Sequence, residues 1–143
     1  MKVEQVHQGR LKSPFHARLA ELDTVNEWHQ WKGDSSADAL YCEDTEYFAV
    51  RNATAVFDLT PMTKYRISGP DAMECLNRFV TRDMAKIRPG RVAYAVWCDD
   101  QGQVIDDGTI FHLREVEYRL CSQERHYAWL MAATIGFDVT ITH

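Results

Sequence analysis

The chain has 143 residues, 45% of them hydrophobic and 26% charged, with a formal net charge of −5. That is enough chain for one core of ordinary composition, and an acidic balance without a Lys/Arg run argues against a nucleic-acid surface. No apolar run reaches membrane-spanning length and the first residues lack the apolar centre of a secretory signal, so the expectation is a cytoplasmic protein with no membrane partner.

Residues 1–12 are polar and unpatterned and read as a mobile arm. Ser13-Pro14 looks like a helix start, a capping serine followed by proline at the first helical position. Phe15, Leu19, Leu22, Val25 and Trp28 then follow broadly helical spacing over 15–31, with Asp23-Thr24 as a possible break. Trp28 and Trp31 read as core packing or a lid over it. Residues 34–42 are small and polar and read as a loop. Asp44 is placed to cap a helix over 45–57, whose apolar positions include Phe48, Val50, Ala53 and Val56. Pro61 disfavours helix at Thr60 and ends that segment.

From residue 64 the pattern changes. A strand over 64–67 is followed by the turn Ser68-Gly69-Pro70-Asp71 and a helix over 72–82 with Met73, Leu76, Phe79 and Val80 as its buried stripe. Arg88-Pro89-Gly90 leads into three strands, over 91–98, 103–113 and 117–122. A helix over 126–135 stops at Gly136, and residues 137–142 alternate as a last strand. The order β-α-β-β-β-α-β indicates an α+β fold, an antiparallel sheet with helices packed on one face.

The second of the three strands carries Asp106 and Asp107 in its middle, where an unpartnered carboxylate is costly. Alternation puts Ile105, Asp107, Thr109 and Phe111 on one face and Asp106, Gly108, Ile110 and His112 on the other. With Asp100-Gln101 as a two-residue loop, Tyr94 lies opposite Asp107, and phenol and carboxylate line one patch. A three-residue loop with a bulge at Gly102 shifts the pairing by one. The plainer alternative is that Asp107 hydrogen-bonds a neighbouring backbone or hydroxyl group. Cys42, Cys75, Cys98 and Cys121 form no C-x-x-C pair and read as reduced thiols. The six histidines show no metal-ligand spacing, so no metal site is expected, and His112 reads as structural before it reads as a ligand or base.

Several stretches together resemble a known family. Ala49-Val50-Arg51, then Val56-Phe57-Asp58-Leu59-Thr60-Pro61-Met62, Ile67-Ser68-Gly69-Pro70-Asp71-Ala72, residues 76–83, Gly90-Arg91-Val92-Ala93-Tyr94 and Gly102-Gln103-Val104-Ile105-Asp106-Asp107 stand in the order and spacing of the aminomethyltransferases. That family includes the glycine cleavage T-protein and shares its folate-binding module with sulfonium and ether demethylases. The resemblance covers 13–143 and implies the N-terminal portion of a folate-binding domain, truncated relative to the family. It implies tetrahydrofolate as cofactor, Asp107 as the catalytic carboxylate beside the pterin, and Tyr94, Met62, Thr109, Phe111 and Ser122 as cofactor contacts. Pro61 stands where glycine-cleavage enzymes have histidine, and Gln103 where they have a second glycine. These departures favour a methyltransferase or demethylase relative, acting on a small methylated amine, sulfonium or ether. The implied function is a tetrahydrofolate-dependent one-carbon transferase whose N-terminal portion is inactive alone. The alternatives are a non-catalytic folate-binding module or a structural remnant. An exposed sheet edge and an open apolar face imply a homodimer or other self-association.

Overall fold

The computed structural model describes residues 11–143, so the arm expected over 1–12 lies outside the described residues except for its last two. The chain divides into two compact units, Met1–Pro61 and Met62–His143.

In the first unit the helix expected over 15–31 is only α1, His16–Leu22. The Asp23 carboxylate ends it by accepting the N–H groups of Val25 (2.9 Å) and Asn26 (2.7 Å) and the Trp28 indole N–H (2.6 Å). Beyond it stand two antiparallel strands, β1 (Glu27–Trp31) and β2 (Asp34–Ala39), where helix and loop were expected. Lys32 and Gly33 join them with φ of 51° and 96°, the two positive values of a type I′ hairpin turn. Pairing with β1 overrides the weak strand propensity of Ser35, Ser36 and Ala37. Helix α2 is Glu43–Asn52, which corrects the 45–57 expectation at both ends. Its N-cap is Cys42, not Asp44, and no residue of it is buried. Phe48 and Val50 are 59% and 49% exposed.

The second unit has the expected element order. It runs β3 (Thr63–Ser68), α3 (Ala72–Phe79), a 3-10 turn (Met84–Lys86), β4 (Val92–Cys98), β5 (Val104–Arg114), β6 (Glu117–Ser122), α4 (Tyr127–Ala133) and β7 (Thr140–Thr142). The five strands form one sheet in the order β4-β5-β6-β3-β7, with antiparallel neighbours throughout. The alternating pattern of β3 sends Tyr65 and Ile67 inward, and β5 and β6 contribute Ile110 and Leu120. Against them α3 buries Ala72, Cys75, Leu76 and Phe79, and α4 buries Leu130, so both helices cover one face. Helix α3 stops at Phe79, short of the expected Arg82, because Val80 bridges to Trp97 and the Thr81 N–H is donated to the Val96 carbonyl (2.9 Å). Helix α4 and strand β7 are likewise shorter than the expected 126–135 and 137–142. The other face of the sheet carries the exposed side chains of Val92, Tyr94, Asp107 and Arg119.

Candidate functional site

The hairpin of β4 and β5 contains two one-residue irregularities. Asp99 N–H is donated to the Gln103 carbonyl (2.9 Å), so the loop has three residues, 100–102, with Gly102 at φ 79°. The ladder then slips again between Trp97 and Cys98, which pair with Asp106 and Val104 and leave Ile105 as a bulge. Tyr94 therefore stands opposite Thr109, and Asp107 opposite Val96. The direct Tyr94–Asp107 pairing expected from a two-residue loop is incorrect by two positions. Two slips conserve the parity of the strand, so both side chains still emerge on one face. They meet diagonally, with the Tyr94 Oη donating to the Asp107 Oδ2 at 2.8 Å.

This pair lies on the open side of the sheet, with Tyr94 57% exposed. The bond to Asp107 raises the Tyr94 phenol above its ordinary value, since ionisation would face one anion with another. Thr109 and Phe111 share that face by alternation and are half-buried. Met62 is half-buried just ahead of β3. Thr63 and Gly108 both pair with Ser122, so Met62 is level with Asp107 two strands away, about 10 Å by strand spacing. Ser122 is not brought to the patch. It is fully buried on the helix-covered face, where its hydroxyl donates to the Glu124 carbonyl at 2.7 Å.

The first acid of the pair turns inward. Asp106 is 9% exposed and accepts three hydrogen bonds, from the Asp107 N–H (2.8 Å), the Glu124 N–H (3.1 Å) and the His126 ring (2.8 Å). Burial pushes its carboxyl up, but the two backbone N–H groups and His126 outweigh that and hold it below the ordinary value. The sequence reading missed both Asp106 and His126 as a unit. The signal was available, because adjacent acids on a strand must send one inward, and a buried carboxylate requires donors.

Gly108 makes room for this arrangement: a Cβ there would sit 2.0 Å from the Cys121 carbonyl oxygen. His112 is structural. It is buried and stacked on Tyr118 with ring centroids 4.2 Å apart, and its ring nitrogens face the Ile87 and Glu115 carbonyls. No group of three or more potential metal ligands occurs among the described residues. Two cavities of about 470 and 390 Å³ belong to the first unit, and neither is lined by Tyr94 or Asp107. None of the described helices is long and apolar enough to cross a membrane.

Residues 16–143 match the family model described as the GCVT N-terminal domain. An aminomethyltransferase of Lysinibacillus sphaericus is 34% identical over 100 residues, covering 67% of this chain and 27% of the relative. An aminomethyltransferase of Desulforamulus reducens is 32% identical over 94 residues, covering 63% of this chain and 26% of the relative. Among solved structures, the glycine cleavage system aminomethyltransferase T from Bartonella henselae superposes with a TM-score of 0.76 at 18% identity, over 92% of this chain and 37% of that one. The chain thus spans about a quarter of the length of the curated relatives it matches.

Proposed function

Since the chain belongs to the GCVT N-terminal domain family, we propose that it forms the folate-facing part of a tetrahydrofolate-dependent one-carbon transferase, with Asp107 as the catalytic carboxylate. The observation that carries this reading is the Tyr94–Asp107 hydrogen bond on a solvent-facing sheet surface rather than in the core. A carboxylate held there by a phenol is suited to stabilise positive charge developing on a bound ring nitrogen, or to take its proton. Tetrahydrofolate, when bound, supplies the nitrogen that accepts the one-carbon unit.

The residues present fit such a ring. Tyr94 and Phe111 offer flat aromatic contact on the Asp107 face, Val92 and Val96 add aliphatic contact, and Thr109 adds a hydroxyl. Met62, level with Asp107, would close the patch from the β3 side, whereas Ser122 faces the core and would contribute through the sheet alone. The methyl or aminomethyl donor is a small methylated amine, sulfonium or ether. Pro61, in place of the histidine of glycine-cleavage enzymes, supports a demethylase-type donor over an aminomethyl one. The open sheet face and the edge strands β4 and β7 support self-association in a cytoplasmic setting.

Calorimetric titration of the chain with tetrahydrofolate, and one-carbon transfer by the longest protein carrying this segment, test the reading. Asp107→Asn should leave the fold intact and lower transfer by about 10²–10³, the cost of one preorganised electrostatic group. Unchanged turnover removes Asp107 from the catalytic role.

A further inference from the structure

We propose that His126 is a positioning residue for Asp107: it clamps the Asp106 carboxylate, which in turn ties down the peptide N–H of Asp107 and so aims that side chain at the open face. The functional consequence rests on the folate reading above; the clamp itself does not.

Because Asp106 is held ionised, it is an acceptor only, so the His126 Nε2 that lies 2.8 Å away carries the proton and donates. One Asp106 oxygen takes this bond together with the Glu124 N–H, and the other takes the Asp107 N–H at 2.8 Å. The chain of contacts therefore runs from ring to carboxylate to the backbone of Asp107. It acts directly after the bulge at Ile105, where the β4–β5 ladder slips and regular pairing constrains the strand least. His126 is itself immobilised. Its backbone N–H is donated to the Tyr65 hydroxyl (2.9 Å), and its ring stands nearly perpendicular to Trp97 with centroids 6.2 Å apart. A brace anchored on β3 and β4 thus sets the angle of a side chain on β5. A purely local role, starting helix α4, would not reach the opposite face of the sheet.

The Tyr94 phenol reports on the clamp without any ligand, because the bond to Asp107 is the largest cause of its raised ionisation, ahead of burial and the charges of Asp107 and Asp106. In the 143-residue chain labelled with [13C-ζ]tyrosine, Tyr94 should titrate above the ordinary tyrosine value of about 10. Asp107→Asn should lower it toward that value, leaving only the smaller contributions of burial and the Asp106 charge. His126→Leu should move it most of the way there, whereas His126→Gln, whose amide N–H still donates, should stay near wild type. Tetrahydrofolate affinity should follow the same order, falling about tenfold in His126→Leu, the scale of one charge-assisted hydrogen bond. A Tyr94 titration unmoved by His126→Leu overturns the clamp even where folate binds, as does a His126→Gln protein that behaves like His126→Leu. Failure of the wild-type chain to bind tetrahydrofolate overturns the folate reading and leaves the Tyr94 result to decide the clamp. Should His126→Leu not fold, His126→Asn, too short to reach Asp106, takes its place with the same two meanings.

Discussion

Gly108→Ala should be a severe substitution within strand β5. The new methyl would stand 2.0 Å from the Cys121 oxygen, 3.1 Å from its carbonyl carbon and 3.3 Å from the tip of the Trp97 ring. The first two partners are backbone, so no rotamer change relieves them. Strands β5 and β6 would have to part by roughly 1 Å or more at the Gly108–Ser122 rung before contacts became ordinary. Overpacking costs about 1–3 kcal/mol, and losing a ladder hydrogen bond adds about 1, giving about 2–4 kcal/mol. Against a typical total of about 5–15 kcal/mol this is a large share, equivalent to a melting point lower by roughly 8–32 °C. Urea unfolding followed by far-ultraviolet circular dichroism measures it. Gly102→Ala is the control, at φ 79° with nothing within 4 Å of the added methyl, so it should cost only about 1–2 kcal/mol of left-handed strain. If Gly108→Ala is no more destabilising than Gly102→Ala, the close approach of β5 and β6 is not what demands glycine at 108.

The thiols and the acid limb of stability offer two further tests. The Cys42 thiol is exposed and held below its ordinary 9.0, first by the Thr45 hydroxyl at 2.9 Å and then by the Thr45 backbone. Burial pushes Cys75 up to about 11 and raises Cys121. Iodoacetamide at mildly alkaline pH should therefore modify Cys42 first, and Cys75 and Cys121 only on unfolding. Peptide mass mapping that finds Cys75 alkylated as fast as Cys42 contradicts this. Asp106 has a folded-state value below the 3.8 of the free group, so its ionised form stabilises the fold fully above that value. That stability is lost as pH falls through the lower, folded value. Asp106→Asn should flatten the decline of the urea midpoint below about pH 4; an unchanged acid slope contradicts the assignment.

The second unit was largely legible because each of its signals is local and its core is its own. Tyr65 and Ile67 alternate on β3, Leu76 and Phe79 repeat at helical spacing, and Gly90 and Gly102 stand at turns. The first unit was misread for a different reason. Phe15 to Trp28 do have helical spacing, but the Asp23 carboxylate captures three donors that a continuing helix would have had to leave elsewhere. The hairpin beyond was signalled only by Lys32-Gly33, a weaker mark of a type I′ turn than Asn-Gly, and its second strand is built of residues with poor strand propensity. Helix α2 shows the limit of periodicity in another way. Its apolar residues are there, yet none is buried, so the pattern overstated its length to Phe57.

The meeting of Tyr94 and Asp107 was legible through parity rather than through register. A loop one residue longer than expected would by itself have put Tyr94 and Asp107 on opposite faces of the sheet. The bulge at Ile105 cancels that displacement, and the two irregularities together preserve the face while moving the partner from Asp107 to Thr109. Neither irregularity is free to change alone. Closing the loop by one residue, or removing the bulge, would turn Asp107 toward the core and send Asp106 out, away from His126 and Glu124. The consecutive acids Asp106 and Asp107 are therefore not interchangeable copies of one signal. The inward one requires the helix-side donors that hold it, and the outward one requires the bulge that precedes it. Gly108, immediately after them, allows β5 to lie close enough to β6 for both demands to be met in one strand.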